Sequence, residues 1–180
     1  MLKLQYYYYV LTIASVLILA LIVLLNNAKK LTNQIYFLFS SVMLLWLSSQ
    51  FAADIANDIN ASLQFIRVTV FSSIYIGVFF IFLIDSLITD SKPNKRLWWL
   101  MLIMALIISP FAFISSTVES VKIQQWGVEA QYGATYNIFL VYSVFIVIAA
   151  LYLAFKRSTQ KTARAKAQIR LIFLGIFLTA

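Results

Sequence analysis

Between Arg67 and Asp85 the chain carries no charge, and only Thr69, Ser72, Ser73, Tyr75 and Gly77 interrupt the hydrocarbon. A bilayer core of about 30 Å is crossed by about 20 helical residues, so Leu63–Thr89 spans one with some tilt. Composition fixes the setting. The chain is 63% hydrophobic and 11% charged, whereas a soluble domain is nearer half apolar and a quarter charged. This is an integral membrane protein. Thr69, Ser73 and Gly77 recur every fourth residue, a small-xxx-small stripe that lets a second helix approach closely. The run is read as the central helix of a bundle.

Hydropathy along the 180 residues predicts a single all-α membrane domain with no soluble part. Its spans are residues 6–25, 35–53, 63–89, 97–116 and 136–155, with an incomplete sixth at 169–180. The first run could be a signal peptide, but a small-x-small cleavage site should then follow and positive charge should precede it. Here Lys29 and Lys30 follow and only Lys3 precedes, so a retained helix fits, with Tyr6–Tyr9 as an interfacial belt. The second span carries Ser40, Ser41, Trp46, Ser48, Ser49 and Gln50, read mainly as helix-contact residues. A polar connection with Asp54 and Asp58 leads into the central helix, and Pro93 breaks the turn after it. Trp98 and Trp99 anchor the fourth span, which Pro110 kinks or ends. In residues 117–135, Val121 and Ile123 alternate with polar residues, and Gly127 and Gly133 punctuate, which predicts a small hairpin on the bundle mouth. Leu171–Ala180 covers about half a bilayer, so the expectation is a fragment ending inside a membrane helix.

Alternating the loops sorts the basic residues. Lys29, Lys30, Lys92, Lys95, Arg96 and the cluster Lys156, Arg157, Lys161, Arg164, Lys166 and Arg170 fall on one side; Lys3, Arg67 and Lys122 fall on the other. Cytoplasmic loops carry the excess of Lys and Arg, so the N-terminus is expected outside and the Lys156–Arg170 segment inside, in a multi-pass protein of the inner (plasma) membrane. The net charge of +8 then reflects topology and attraction to anionic lipid, and nucleic acid is not expected as a partner.

Ionisable residues within spans are functional candidates. Arg67 lies about one turn inside the outer end of its helix, and a pairing with Asp54 or Asp58 is the simplest expectation. Asp85 lies near the inner end, within expected reach of water and of Lys92, Lys95 or Arg96. With no cysteine and no histidine, thiolate and imidazole metal sites and Cys/His dyads are excluded. No deep lysine offers a retinal Schiff base, and no phosphate loop or nucleophile elbow occurs. No cofactor and no catalysis are expected of this chain.

Several features together resemble a known family. Trp46 sits mid-way along the second span, and Leu63-Gln64-Phe65-Ile66-Arg67 opens an aromatic-rich third helix. Trp126-Gly127 lies in the outer loop, and Gly133-x-x-Tyr136 leads into the fifth span. Arg164-x-Lys166-Ala167-Gln168-Ile169-Arg170 precedes an apolar run containing Gly175. The pattern resembles the N-terminal seven-helix sensor region of bacterial membrane histidine kinases, also found before diguanylate cyclase domains. The resemblance implies a sensory input domain, cut within its sixth helix, that signals to a cytoplasmic output module and works as a homodimer in the intact protein. An outward-facing pocket between Trp46, Gln50, Arg67 and Trp126 is the expected site for a small-molecule or lipid ligand. A small-solute transporter component or a membrane scaffold subunit is the alternative, although no internal repeat or broken helix supports the former.

Overall fold

The computed structural model describes residues 2–89, 94–124 and 127–158. Within them, in chain order, are α1 (Leu2–Asn26), α2 (Leu31–Ile55), α3 (Ile59–Thr89), α4 (Lys95–Ile108) and α5 (Tyr136–Ser158). A 3-10 turn, Ser109–Phe113, prolongs α4, and the strands β1 (Val118–Gln124) and β2 (Gly127–Tyr132) come before α5. Five segments are long and apolar enough to cross a membrane, with α4 reaching that length together with its 3-10 turn. The polytopic helical fold read from the sequence holds. It is not strictly all-α, since β1 and β2 pair antiparallel in the region predicted as a hairpin. The sixth span lies outside the described residues.

Local chemistry sets the helix limits. Only Ala56, Asn57 and Asp58 separate α2 from α3. The Asp58 carboxylate accepts from the amides of Asn60 (3.3 Å) and Ala61 (3.0 Å), capping orphan donors of the first turn. Helix α3 therefore begins at Ile59, a turn earlier than hydropathy indicates. The buried Ser62 hydroxyl donates to the Ala53 carbonyl at 3.1 Å and ties the two helices across the turn. In α4, Pro110 has no N–H for the Leu106 carbonyl; the Ser109 hydroxyl donates there instead, at 3.3 Å. The α-helix ends at Ile108, leaving about 21 Å of length at 1.5 Å per residue. The five-residue 3-10 turn adds about 10 Å, which completes a bilayer crossing.

Helix α3 is the hub. Helices α2, α4 and α5, the 3-10 turn and both strands pack on it, while α1 packs chiefly on α2. Its buried stripe is Ile66, Val70, Ile74, Val78, Ile81, Phe82 and Asp85, the three- and four-residue spacing of one helical face. Ser49 of α2 and Thr69 share a hydrogen bond of 2.9 Å. On the α5 side, the Tyr142 hydroxyl donates to the Ile74 carbonyl at 3.3 Å. A Cβ at Gly77 would lie 3.0 Å from Ile146 Cγ2, so glycine permits this crossing.

Thr69, Ser73 and Gly77 thus do not form one contact face. Thr69 meets α2, Gly77 meets α5, and Ser73 between them is exposed. Each four-residue step turns the helix by about 40°, so two steps carry the stripe from one neighbour to the other. Gly77→Leu is expected to overpack the α3–α5 crossing by about 1–3 kcal/mol. The purified protein should show a lowered thermal midpoint, with Gly77→Ala much closer to wild type.

Candidate functional site

At the hairpin end of the bundle, Asp54 joins three elements. It occupies the last turn of α2, where its Oδ1 accepts the Val128 amide of β2 at 3.0 Å and its Oδ2 accepts the Tyr9 hydroxyl of α1 at 2.9 Å. Tyr6 and Tyr9 both pack on Phe51, with ring centroids 5.6 and 5.3 Å apart, so the expected tyrosine belt is in part a docking surface for α2. Gly127 makes the approach of β2 possible. Its φ is +138°, and a Cβ there would sit 2.9 Å from Asp54 Oδ1. Backbone conformation and space both exclude a side chain.

Arg67 holds the other strand. Its Nη2 donates to the Val118 carbonyl of β1 at 3.3 Å. The expected ion pair with Asp54 or Asp58 is not formed: Asp58 caps α3, Asp54 serves Tyr9 and Val128, and Arg67 turns to the hairpin backbone. Arg67 Nε is buried without a hydrogen-bond partner among the described residues.

The base of the hairpin is closed by further bonds. The buried Thr117 hydroxyl donates to the Phe111 carbonyl at 2.7 Å, and the Ser116 and Thr135 hydroxyls lie 2.6 Å apart. Gly133 donates to the Thr117 carbonyl at 3.2 Å, and a Cβ there would collide with the Ser116 carbonyl and the Glu119 carboxylate. A register shift between Val118 and Ser120 bulges the strand at Glu119. Tyr132 stacks on Tyr136 with centroids 4.0 Å apart. Burial, and then the neighbouring Tyr136, raise the Tyr132 phenol above its ordinary value of 10.0.

Of the four residues expected to line a pocket, Arg67 lies under the hairpin, and Trp46 and Gln50 are half-buried on α2. Neither α2 residue makes a side-chain hydrogen bond to Arg67 among the described residues. Trp126 lies outside those residues. Sequence reasoning missed Asp54 as the joint of α1, α2 and β2. The positions of Asp54 and Gly127 were visible, but nothing in the sequence pairs them.

At the opposite end, Asp85 is wholly buried. Its Oδ2 accepts the Asn94 amide at 2.8 Å and the Trp98 indole N–H at 3.0 Å, and Trp98 stacks on Phe82 with centroids 4.4 Å apart. The expectation of a water-exposed acid beside Lys95 or Arg96 is therefore corrected; Lys92 lies outside the described residues. Arg67 and Asp85 are 18 positions apart in α3, or about 27 Å along the axis, and each fastens a neighbouring element at its own end.

A sequence model described as the N-terminal 7TM region of histidine kinase matches residues 9–180. The chain belongs to that family. No curated protein and no solved structure matches it. As a histidine-kinase 7TM region it is a multi-pass membrane domain of sensory signal transduction. This region of a histidine kinase is not the catalytic part, and among the described residues no group of His, Cys, Asp or Glu could hold a metal ion.

Asp54→Ala should leave the Val128 amide without its charged acceptor, at a local cost of about 1–3 kcal/mol. Hydrogen exchange at β2 is then expected to quicken by roughly tenfold or more, with the α3 core unchanged. Gly127→Ala should have the same signature, because it displaces β2 from Asp54.

Proposed function

We propose that this 7TM region reads an extracellular or membrane stimulus at its hairpin-covered end and passes it to a cytoplasmic histidine-kinase module. The observation that carries the reading is the joining of α1, α2 and β2 at one carboxylate, Asp54. A ligand that displaces or tightens the hairpin there acts on three elements at once. Arg67 adds a second handle, since it holds β1 through one bond and keeps a buried N–H unmet among the described residues. A small molecule or lipid with an acceptor group, lodged beside Trp46, Gln50 and Arg67, would compete for that guanidinium.

Transmission then follows from the packing. Helix α3 receives the hairpin at one end and fastens α4 at the other, so a change in its tilt or rotation reaches the far side without a separate relay. The ligand shifts this equilibrium only by its difference in affinity for the two packings. Family membership favours this reading over a transporter or a scaffold.

The reading requires the hairpin to lie outside and the α1–α2 turn inside. The chain has no cysteine, so single substitutions report orientation directly. In intact cells a membrane-impermeant maleimide is expected to label Ile123→Cys, on the exposed face of β1. Lys29→Cys should be labelled only after the membrane is opened. Labelling of Lys29→Cys alone in intact cells would reverse the topology and remove the proposal.

A further inference from the structure

We infer that the Lys95–Met104 face of α4 is a binding site for one anionic phospholipid. A shallow groove of about 530 Å³ runs along this face, lined by Lys95, Arg96, Trp99, Leu100, Ile103 and Met104. Its walls are apolar except at one end, where the two cations stand. Lys95 and Arg96 are both exposed. The nearby acid Asp85 is turned inward, to the Asn94 amide and the Trp98 indole. Trp99 is 67% exposed and Ile103 52%, so the groove faces outward from the bundle.

The arrangement matches a phospholipid in polarity and in order. An acyl chain lies along Leu100, Ile103 and Met104, and Trp99 sits at the level of the glycerol backbone, where indoles favour the membrane interface. The phosphate meets Lys95 and Arg96. Arginine gives a planar fork to phosphate oxygens and lysine a point charge. A zwitterionic lipid brings its own cation to the same place, so the pair of positive side chains selects for net negative headgroups. The buried bonds of Asp85 and the stacking of Trp98 on Phe82 hold this end of α4 rigid. The two cations are thereby presented on a fixed frame.

The test uses the protein in nanodiscs of phosphatidylcholine alone or mixed with phosphatidylglycerol, with lipid retained after gentle detergent release counted by native mass spectrometry. Phosphatidylglycerol is expected to be retained in preference to phosphatidylcholine. The Lys95→Gln/Arg96→Gln variant should lose at least fivefold of that preference, as basic residues near a membrane surface contribute about fivefold each. A Lys29→Gln/Lys30→Gln variant, which removes equal charge from the same side, should keep it. Ile103→Trp should also weaken retention by filling the groove with both cations in place. The inference is overturned if wild type shows no preference, or if the Lys29/Lys30 variant loses as much as the Lys95/Arg96 variant. It is equally overturned if a Met104→Cys cross-link finds a segment C-terminal to Ser158 of the same chain seated on this face.

Discussion

Backbone that leaves a helix at the edge of hydrocarbon must find hydrogen-bond partners within the protein, and that requirement organises both ends of this bundle. At the hairpin end, Asp54 takes the Val128 amide, Arg67 takes the Val118 carbonyl and Thr117 takes the Phe111 carbonyl. At the other end, Asp85 takes the Asn94 amide where the chain turns into α4. The Leu106 carbonyl that Pro110 leaves open is met by Ser109. Between the ends the helices satisfy their own backbone, and contacts there are mostly apolar or come from small residues such as Gly77 and Thr69, with Tyr142 bonding the Ile74 carbonyl. Asp54, Arg67 and Asp85 each fasten irregular backbone at an end of the bundle.

This division suits a sensory domain. The two-stranded sheet is attached to the helices by individual polar bonds and by the side chains of Val118, Val121, Val128 and Ala130, whereas the middle of α3 is packed on several sides. An element at the edge of the bundle opens more readily than the core beneath it, which is the property wanted of a part that responds to a stimulus. The proposed lipid site on α4 lies at the opposite end of the same hub, so membrane composition and an outer stimulus would both act on the packing around α3.

Much of the fold was legible in the sequence because hydropathy over twenty-residue windows is a strong signal, and the alternation at Val121 and Ile123 with Gly127 marked the hairpin. The site was less legible, for reasons particular residues make plain. Proximity in sequence suggested that Arg67 would pair with Asp54 or Asp58, but Asp54 instead meets an amide 74 positions away, a contact no local pattern encodes. Counting turns from the helix end placed Asp85 near water; a short carboxylate cannot snorkel, and the return of the chain into α4 buries it. The four-residue stripe was read as one face, yet a helix rotates along such a stripe, and Ser73 falls between the two neighbours. Gly127 belongs to the family resemblance, and the structure supplies its reason: β2 must reach Asp54 without a side chain in the way.

The proposed role of the Asp54 joint is to set the signalling state of the bundle. For the proposed histidine-kinase output, autophosphorylation in membranes is the measurement, comparing Asp54→Ala with Asp58→Ala, which removes a carboxylate that caps α3. Asp54→Ala is expected to change basal phosphorylation several-fold, and Asp58→Ala to stay close to wild type. Equal rates for wild type and Asp54→Ala, with the hairpin shown by hydrogen exchange to be released, would contradict it.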